Sequence, residues 1–332
     1  KENPHKITEM ASEFTKEQAV QFPSDVLADL EKWRILLGNG IQTDMLSDFK
    51  DANFFYVETE NQTNWVVFKT PNSGTTSKNS SNTRSELGQK QRWTPEEGGK
   101  LNASLKVQHV STSGDARVAA SYSTVVGQIH SDEGHENEPL KIFYKKFPGH
   151  KKGSIFWHYE INTEGTNDQR WDFSTAVWGN DISVVGSAPD SYPEEPEDGI
   201  ELGEEFSYEV NVFDGIMYLT FKSDNHETRT FTKNLIKSDY TKDSDVPQQI
   251  RTLYASIDRD GTEQEEGYSG ELQFFKLGAY NQTNGKNPEN NMVWSTGATI
   301  YDGDLTKQYE NGSYTEVWFK EASLSAGTIP SN

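Results

Sequence analysis

From Leu36 onward the chain breaks into short segments in which apolar and polar residues alternate, separated by Gly, Asn, Asp and Ser. In Tyr208–Phe213, Tyr208, Val210 and Val212 share one parity, and Met217, Leu219 and Phe221 share another. Period-two alternation bounded by turn residues is the mark of antiparallel strands with one buried face. Strands are predicted over residues 53–57, 65–69, 100–109, 116–130, 141–147, 154–161, 206–213, 216–223, 251–258, 272–280 and 315–322. Asp214-Gly215 between two of them predicts a tight hairpin. Helical spacing is confined to the start: a short helix over 15–21, then Ser24 as an N-cap ahead of Val26, Leu27, Leu30 and Trp33. Many strands and few helices predict an all-β sandwich or jelly roll of two antiparallel sheets. No repeat or linker divides the chain, so residues 1–21 are read as an extension and 22–332 as one domain. Residues 284–313 are polar and rich in turn formers, and read as a long insertion before the last strand.

Only 33% of the 332 residues are hydrophobic, but 17 Phe, 14 Tyr and 8 Trp separate the chain from disordered sequences. No run approaches the roughly 18 apolar residues of a membrane helix. Cysteine is absent, which excludes disulfides and thiolate chemistry. A net charge of -21 argues against nucleic-acid and anionic-membrane partners. A polyanionic ligand would need cations gathered locally, and residues 139–159 hold five lysines and no acid. Residues 190–205 hold eight carboxylates and no base, and read as solvated loop. Sequons at Asn61, Asn79, Asn102, Asn281 and Asn311 read as chance matches in an Asn-rich chain.

Three strand-like segments carry polar residues where a sandwich normally shows packing. Arg84 and Glu86 lie two apart and share a face. Gln128 and His130 do likewise, with Ile129 turned to the core. Lys276, Gly278 and Tyr280 share a face, and the glycine is expected to leave room for a ligand over the strand. Singly each is an ordinary surface residue: an ion pair of little worth, a hydrogen-bonded histidine, an aromatic with a wet hydroxyl.

As an ordered set, Arg84-Ser85-Glu86-Leu87, Gln128-Ile129-His130 and Phe274-Phe275-Lys276-Leu277-Gly278-Ala279-Tyr280-Asn281-Gln282 resemble the three signature motifs of alginate lyases of polysaccharide lyase family 7. The resemblance spans about residues 22–325. It implies a β-jelly roll with the motifs lining a concave cleft, a monomer acting on an anionic polysaccharide, export from the cytoplasm with the targeting peptide missing from this chain, and neither metal nor organic cofactor. Two departures stand out. The family's first motif usually has a second arginine where this chain has Gly88, and Lys90, of the same parity, is a candidate to carry the missing charge. The third motif opens with Phe274 where the family usually has Tyr.

The resemblance implies β-elimination on a uronate: Arg84 and Gln128 neutralise the carboxylate, His130 takes the C5 proton of guluronate, and Tyr280 protonates the leaving O4. Tyr280 would serve as both base and acid for mannuronate. Glu86, Lys276, Asn281, Gln282, Lys141, Tyr144 and Lys145 are candidate substrate-binding residues. Ile129 within Gln-Ile-His goes with guluronate preference in the family. If residues 131–139, 185–203 and 284–314 wall off one end of the cleft, cleavage would be from chain ends. Asp258 to Gly261 lacks the rest of a calcium loop and reads as a turn. The rival readings are a glycoside hydrolase, for which no recognisable carboxylate pair stands beside Gln128 or Tyr280, a non-catalytic carbohydrate-binding module, and a lyase acting on another polyuronate.

Overall fold

In a computed structural model, residues 20–77, 80–133, 137–161, 171–236, 268–285 and 300–331 are described. They form strands β1 (Trp33–Leu36), β2 (Gln42–Thr43), β3 (Phe55–Glu60), β4 (Thr63–Pro71), β5 (Arg84–Gln89), β6 (Gly99–His109), β7 (Ser123–Ser131), β8 (Leu140–Lys145), β9 (Lys152–Ile161), β10 (Trp171–Trp178), β11 (Ile200–Glu201), β12 (Phe206–Phe213), β13 (Ile216–Ser223), β14 (His226–Asn234), β15 (Gln273–Asn281) and β16 (Tyr314–Ser325), with one α-helix, α1 (Leu305–Asn311). Two antiparallel sheets result. One runs β10-β9-β8-β7-β15-β5-β1-β2, with β11 on β9; the other runs β14-β13-β12-β6-β16-β4-β3. This is the expected sandwich of jelly-roll type. Between the sheets lie Leu87, Ile129, Leu277 and Tyr144 from the first, and Phe68, Leu105, Tyr208 and Phe319 from the second, all at 1% exposure or less.

The Asp214-Gly215 hairpin forms as expected, with both residues at positive φ (50° and 79°) and Phe213 paired to Ile216. The helix expected after Ser24 does not form. Two 3-10 turns, Pro23–Asp25 and Leu30–Lys32, stand there instead, and Trp33 opens β1. Asp29 at φ 59° breaks the helical run. The Ser24 hydroxyl accepts from the Asp48 amide instead of capping. Leu27, Leu30, Trp33 and Ile35 still bury into the core, so the apolar spacing reported burial and not a helix. The segment 116–122 is turns, and its strand starts at Ser123. Five of the described strands had no expected counterpart: β1, β10, the two-residue β2 and β11, and the mostly exposed edge strand β14, whose sequence HETRTFTKN is too polar to show a buried face. Part of the expected insertion is ordered as α1, capped by Asp304, which accepts from the Lys307 amide. The expected helix at 15–21, apart from its last two residues, and the strand at 251–258 lie outside the described residues.

Candidate active site

The three motifs occupy the central strands β5, β15 and β7 of the first sheet, and the register aligns their outer faces. Arg34 of β1 pairs with Gly88 of β5, Gly88 with Lys276 of β15, Lys276 with Gln128 of β7, Gln128 with Lys141 of β8, and Lys141 with His158 of β9. One straight row of side chains thus crosses six strands. Toward one end of the central strands Tyr280 pairs with Arg84; toward the other His130 pairs with Phe274. Between Leu277 and Tyr280 three steps of β15 answer two of β7, a bulge that turns Tyr280 toward the site. Gly278 sits in it at φ 148°. A Cβ there would come within 2.6 Å of the Ser85 carbonyl and 2.9 Å of Glu86 Cα. Gly278 is therefore needed for the close approach of β5, not for room above the strand.

Glu86 is the hub of the site. Its Oε1 lies 3.1 Å from Lys276 Nζ and 3.3 Å from an Arg84 guanidinium nitrogen, and its Oε2 accepts from Gln128 Nε2 at 2.7 Å. Burial alone would raise the Glu86 carboxyl, but Lys276, Arg84 and the Gln128 amide outweigh it and hold it below the ordinary carboxylate range. An ionised carboxylate only accepts, so Gln128 must turn its NH2 group to Glu86. That leaves the buried Gln128 Oε1 with no hydrogen-bond partner in the protein. Two cations on one carboxylate leave a single net positive charge at the centre of the row.

Arg84 also donates to Ser80 Oγ at 3.1 Å and lies 3.7 Å above the Tyr280 ring centroid. Its buried Nε has no partner. Burial favours the neutral Tyr280 hydroxyl, but Arg84, the Ser80 hydroxyl and Lys141 prevail and lower it from the usual phenol value. His130 Nδ1 is 2.7 Å from the Ser131 carbonyl, which can only accept, so Nδ1 carries the hydrogen and Nε2 keeps its lone pair. Burial, with Lys276 and Arg84, keeps His130 below its ordinary value against the pull of Glu138. Glu138 Oε1 is 3.7 Å from His130 Nε2. Sequence reasoning missed Glu138, because it follows the loop after β7 and belongs to none of the motifs.

The other candidates divide. Lys276 stands in the row beside Gln128. Lys141 stands there too, 3.4 Å from Glu160 and 3.3 Å from Asp172. Glu86 holds its neighbours in place and has a fully buried side chain. Tyr144 lies on the opposite face, in the core, where its hydroxyl donates to the Ile200 carbonyl; the alternation of β8 brings Phe143, not Tyr144, to the site face. Lys145 is buried further along β8, donates to the Ala119 carbonyl at 2.5 Å, and is pushed down to about 7 by burial. Asn281 belongs to the frame: its Nδ2 donates to Asn72 Oδ1 and its Oδ1 accepts from the Thr283 amide. Gln282 is buried and folds back on the Tyr280 carbonyl. Ile182, in the loop after β10, and Tyr280 both pack against the outer-face cluster of Val125, Phe143 and Phe156. Among the described residues no group of three or more His, Asp or Glu side chains is arranged to hold a metal ion.

A partly buried base with a free lone pair, a phenol under a guanidinium and a net positive charge between them suit proton transfer beside an anionic group. Comparison with known proteins points the same way. Residues 28–326 match the sequence profile of a family described as alginate lyase. An alginate lyase of Klebsiella pneumoniae is 26% identical over 280 residues, covering 74% of this chain and 76% of that one. Among solved structures, the exolytic alginate lyase AlyA5 of Zobellia galactanivorans, of polysaccharide lyase family 7, is 70% identical with a TM-score of 0.87, over 94% of this chain and all of that one. The crystal structure of the alginate lyase from Klebsiella pneumoniae shares the fold, at 21% identity and a TM-score of 0.64, over 92% and 99% of the two chains.

Proposed function

This chain belongs to the alginate lyases of polysaccharide lyase family 7, and from that premise we propose that it cleaves guluronate-containing alginate by β-elimination from chain ends. The carrying observation is the pairing of His130 Nε2, with its free lone pair, and the Tyr280 hydroxyl across a centre of net positive charge. The carboxylate of the bound uronate meets that charge, donating neither proton nor electron but accepting hydrogen bonds from Arg84 Nε and the remaining Gln128 N–H. Loss of the C5 proton then builds negative charge where cations already stand. His130 Nε2 takes that proton; the C5–H electrons become the C4=C5 double bond; the C4–O4 bond breaks and Tyr280 protonates the departing oxygen. Return of a proton from imidazolium to phenolate, through solvent, resets the site. On mannuronate, whose C5 hydrogen lies on the other face, Tyr280 performs both transfers, its lowered pKa making the phenolate accessible.

The end-acting mode is supported by the exolytic relative, 70% identical to this chain. A polymeric substrate supports a secreted or periplasmic enzyme. The test is ultraviolet absorbance of unsaturated uronate during incubation with polyguluronate, polymannuronate and mixed alginate. Absorbance rising fastest on guluronate-rich polymer, with small products from the first minutes, is expected. A flat trace on all three overturns the reading.

The pH profile follows from the same geometry. The acid limb of kcat/KM reports the free enzyme's base. Because burial lowers His130, that limb is expected below the ordinary histidine value, and because Arg84 lowers Tyr280, the alkaline limb below the ordinary phenol value. Glu138 is an influence that raises His130. Glu138→Gln is therefore expected to move the acid limb to still lower pH, which kcat/KM measured from acid to neutral pH will check.

A further inference from the structure

Across the site row each central cation has a carboxylate beside it: Lys276 has Glu86, and Lys141 has Glu160 and Asp172. Arg34, at the β1 end, differs. It is exposed, on the site face, and no carboxylate of the described residues lies within ion-pair distance of it. Its side chain leans over Gly88: a Cβ built there would touch Arg34 Cγ at 3.9 Å, Arg34 Nε at 4.0 Å and Phe274 at 3.7 Å. The missing side chain of Gly88 thus leaves Arg34 lying over β5, one strand away from Lys276. Lys90, the other candidate for the missing charge, turns away and donates to the Asp44 carbonyl at 3.1 Å.

We propose that Arg34, lying over Gly88, is a binding residue for the carboxylate of a second uronate, beyond the one held at Arg84 and Gln128. Strands spaced by about 4.8 Å set β1 about 10 Å from β15, so a glycan crossing the strands along the row brings a further carboxylate over Gly88. A guanidinium not neutralised by the protein, with its planar fork free, suits that anion. The proposal rests on the lyase reading above.

The test is initial-rate kinetics of Arg34→Ala, Arg34→Lys and Gly88→Leu on the shortest oligouronate the enzyme cleaves and on a hexamer. Arg34→Ala is expected to raise KM for the hexamer about five- to tenfold with kcat changed less than twofold, to leave KM for the shortest substrate nearly unchanged, and to flatten the salt dependence of hexamer KM. Arg34→Lys is expected to retain part of the hexamer affinity. Gly88→Leu, which fills the space that Arg34 occupies, should copy Arg34→Ala. Hexamer KM unchanged in Arg34→Ala, or raised equally at every length, overturns the proposal while the lyase reading stands. A wild-type protein that yields no unsaturated product from any uronate overturns the reading itself.

Discussion

Tyr280→Phe is expected to lower kcat by about 10²–10⁴ on guluronate and mannuronate polymers alike, the range for loss of a positioned proton donor. The substitution removes one oxygen and leaves the ring under Arg84, where the guanidinium lies 3.7 Å from the ring centroid. Binding and folding should survive, so polymer affinity measured by calorimetry should change little. His130→Ala makes the sharper contrast. In the proposed division of roles only guluronate presents its C5 hydrogen to Nε2, so this variant is expected to lose guluronate activity by a similar factor while keeping much of its mannuronate activity. Unsaturated product measured from the two block polymers separates the cases. Equal loss on both polymers in His130→Ala would remove the division of roles and make the histidine a general requirement of the site.

The second large effect is expected at a residue that does no chemistry. Glu86→Ala leaves Arg84 and Lys276 facing each other without the anion between them, and leaves the Gln128 amide without its acceptor. Removing one partner from a buried charge group costs about 3–5 kcal/mol. The melting temperature should fall by several degrees, and kcat should fall by about 10²–10³, the cost of displacing an electrostatic donor. Glu86→Gln should be little better: its amide fills the space but still lacks the charge, and its NH2 group opposes the cations or the Gln128 amide. Unchanged melting in both variants would show that the carboxylate has no positioning role.

The sandwich and the candidate site were legible in the sequence for one reason: both depend on period two. Alternation along β12 and β13 exposed the fold, and the same alternation put Gln128 with His130, and Arg84 with Glu86, on common faces. What alternation cannot show is which face is the core when both faces are covered. All of β8 is buried, so Tyr144 looked as available as Lys141. Nor can it show partners distant in sequence. That Glu86 is a hub depends on Lys276, 190 positions later, lying on the adjacent strand. Asn281 was read as a ligand residue because it follows Tyr280 in a motif, yet its amide is committed to Asn72, 209 residues earlier. Glu138 and Arg34 went unseen because one stands in a loop and the other in a short strand directly after the stretch whose spacing reads as helical.

The position of β15 also bears on how the enzyme comes into being. It lies between β7 and β5, strands 150 to 190 residues earlier in the chain, and supplies the middle of the sheet. Until residues 273–281 have been synthesised and inserted, the two halves of that sheet have no common neighbour, and Arg84 and Gln128 have no tyrosine between them. Contacts so remote in sequence form slowly, because the intervening chain must be ordered before they reward it. Recovery of enzymatic activity during refolding is therefore expected to be late and to report closure of the whole sheet.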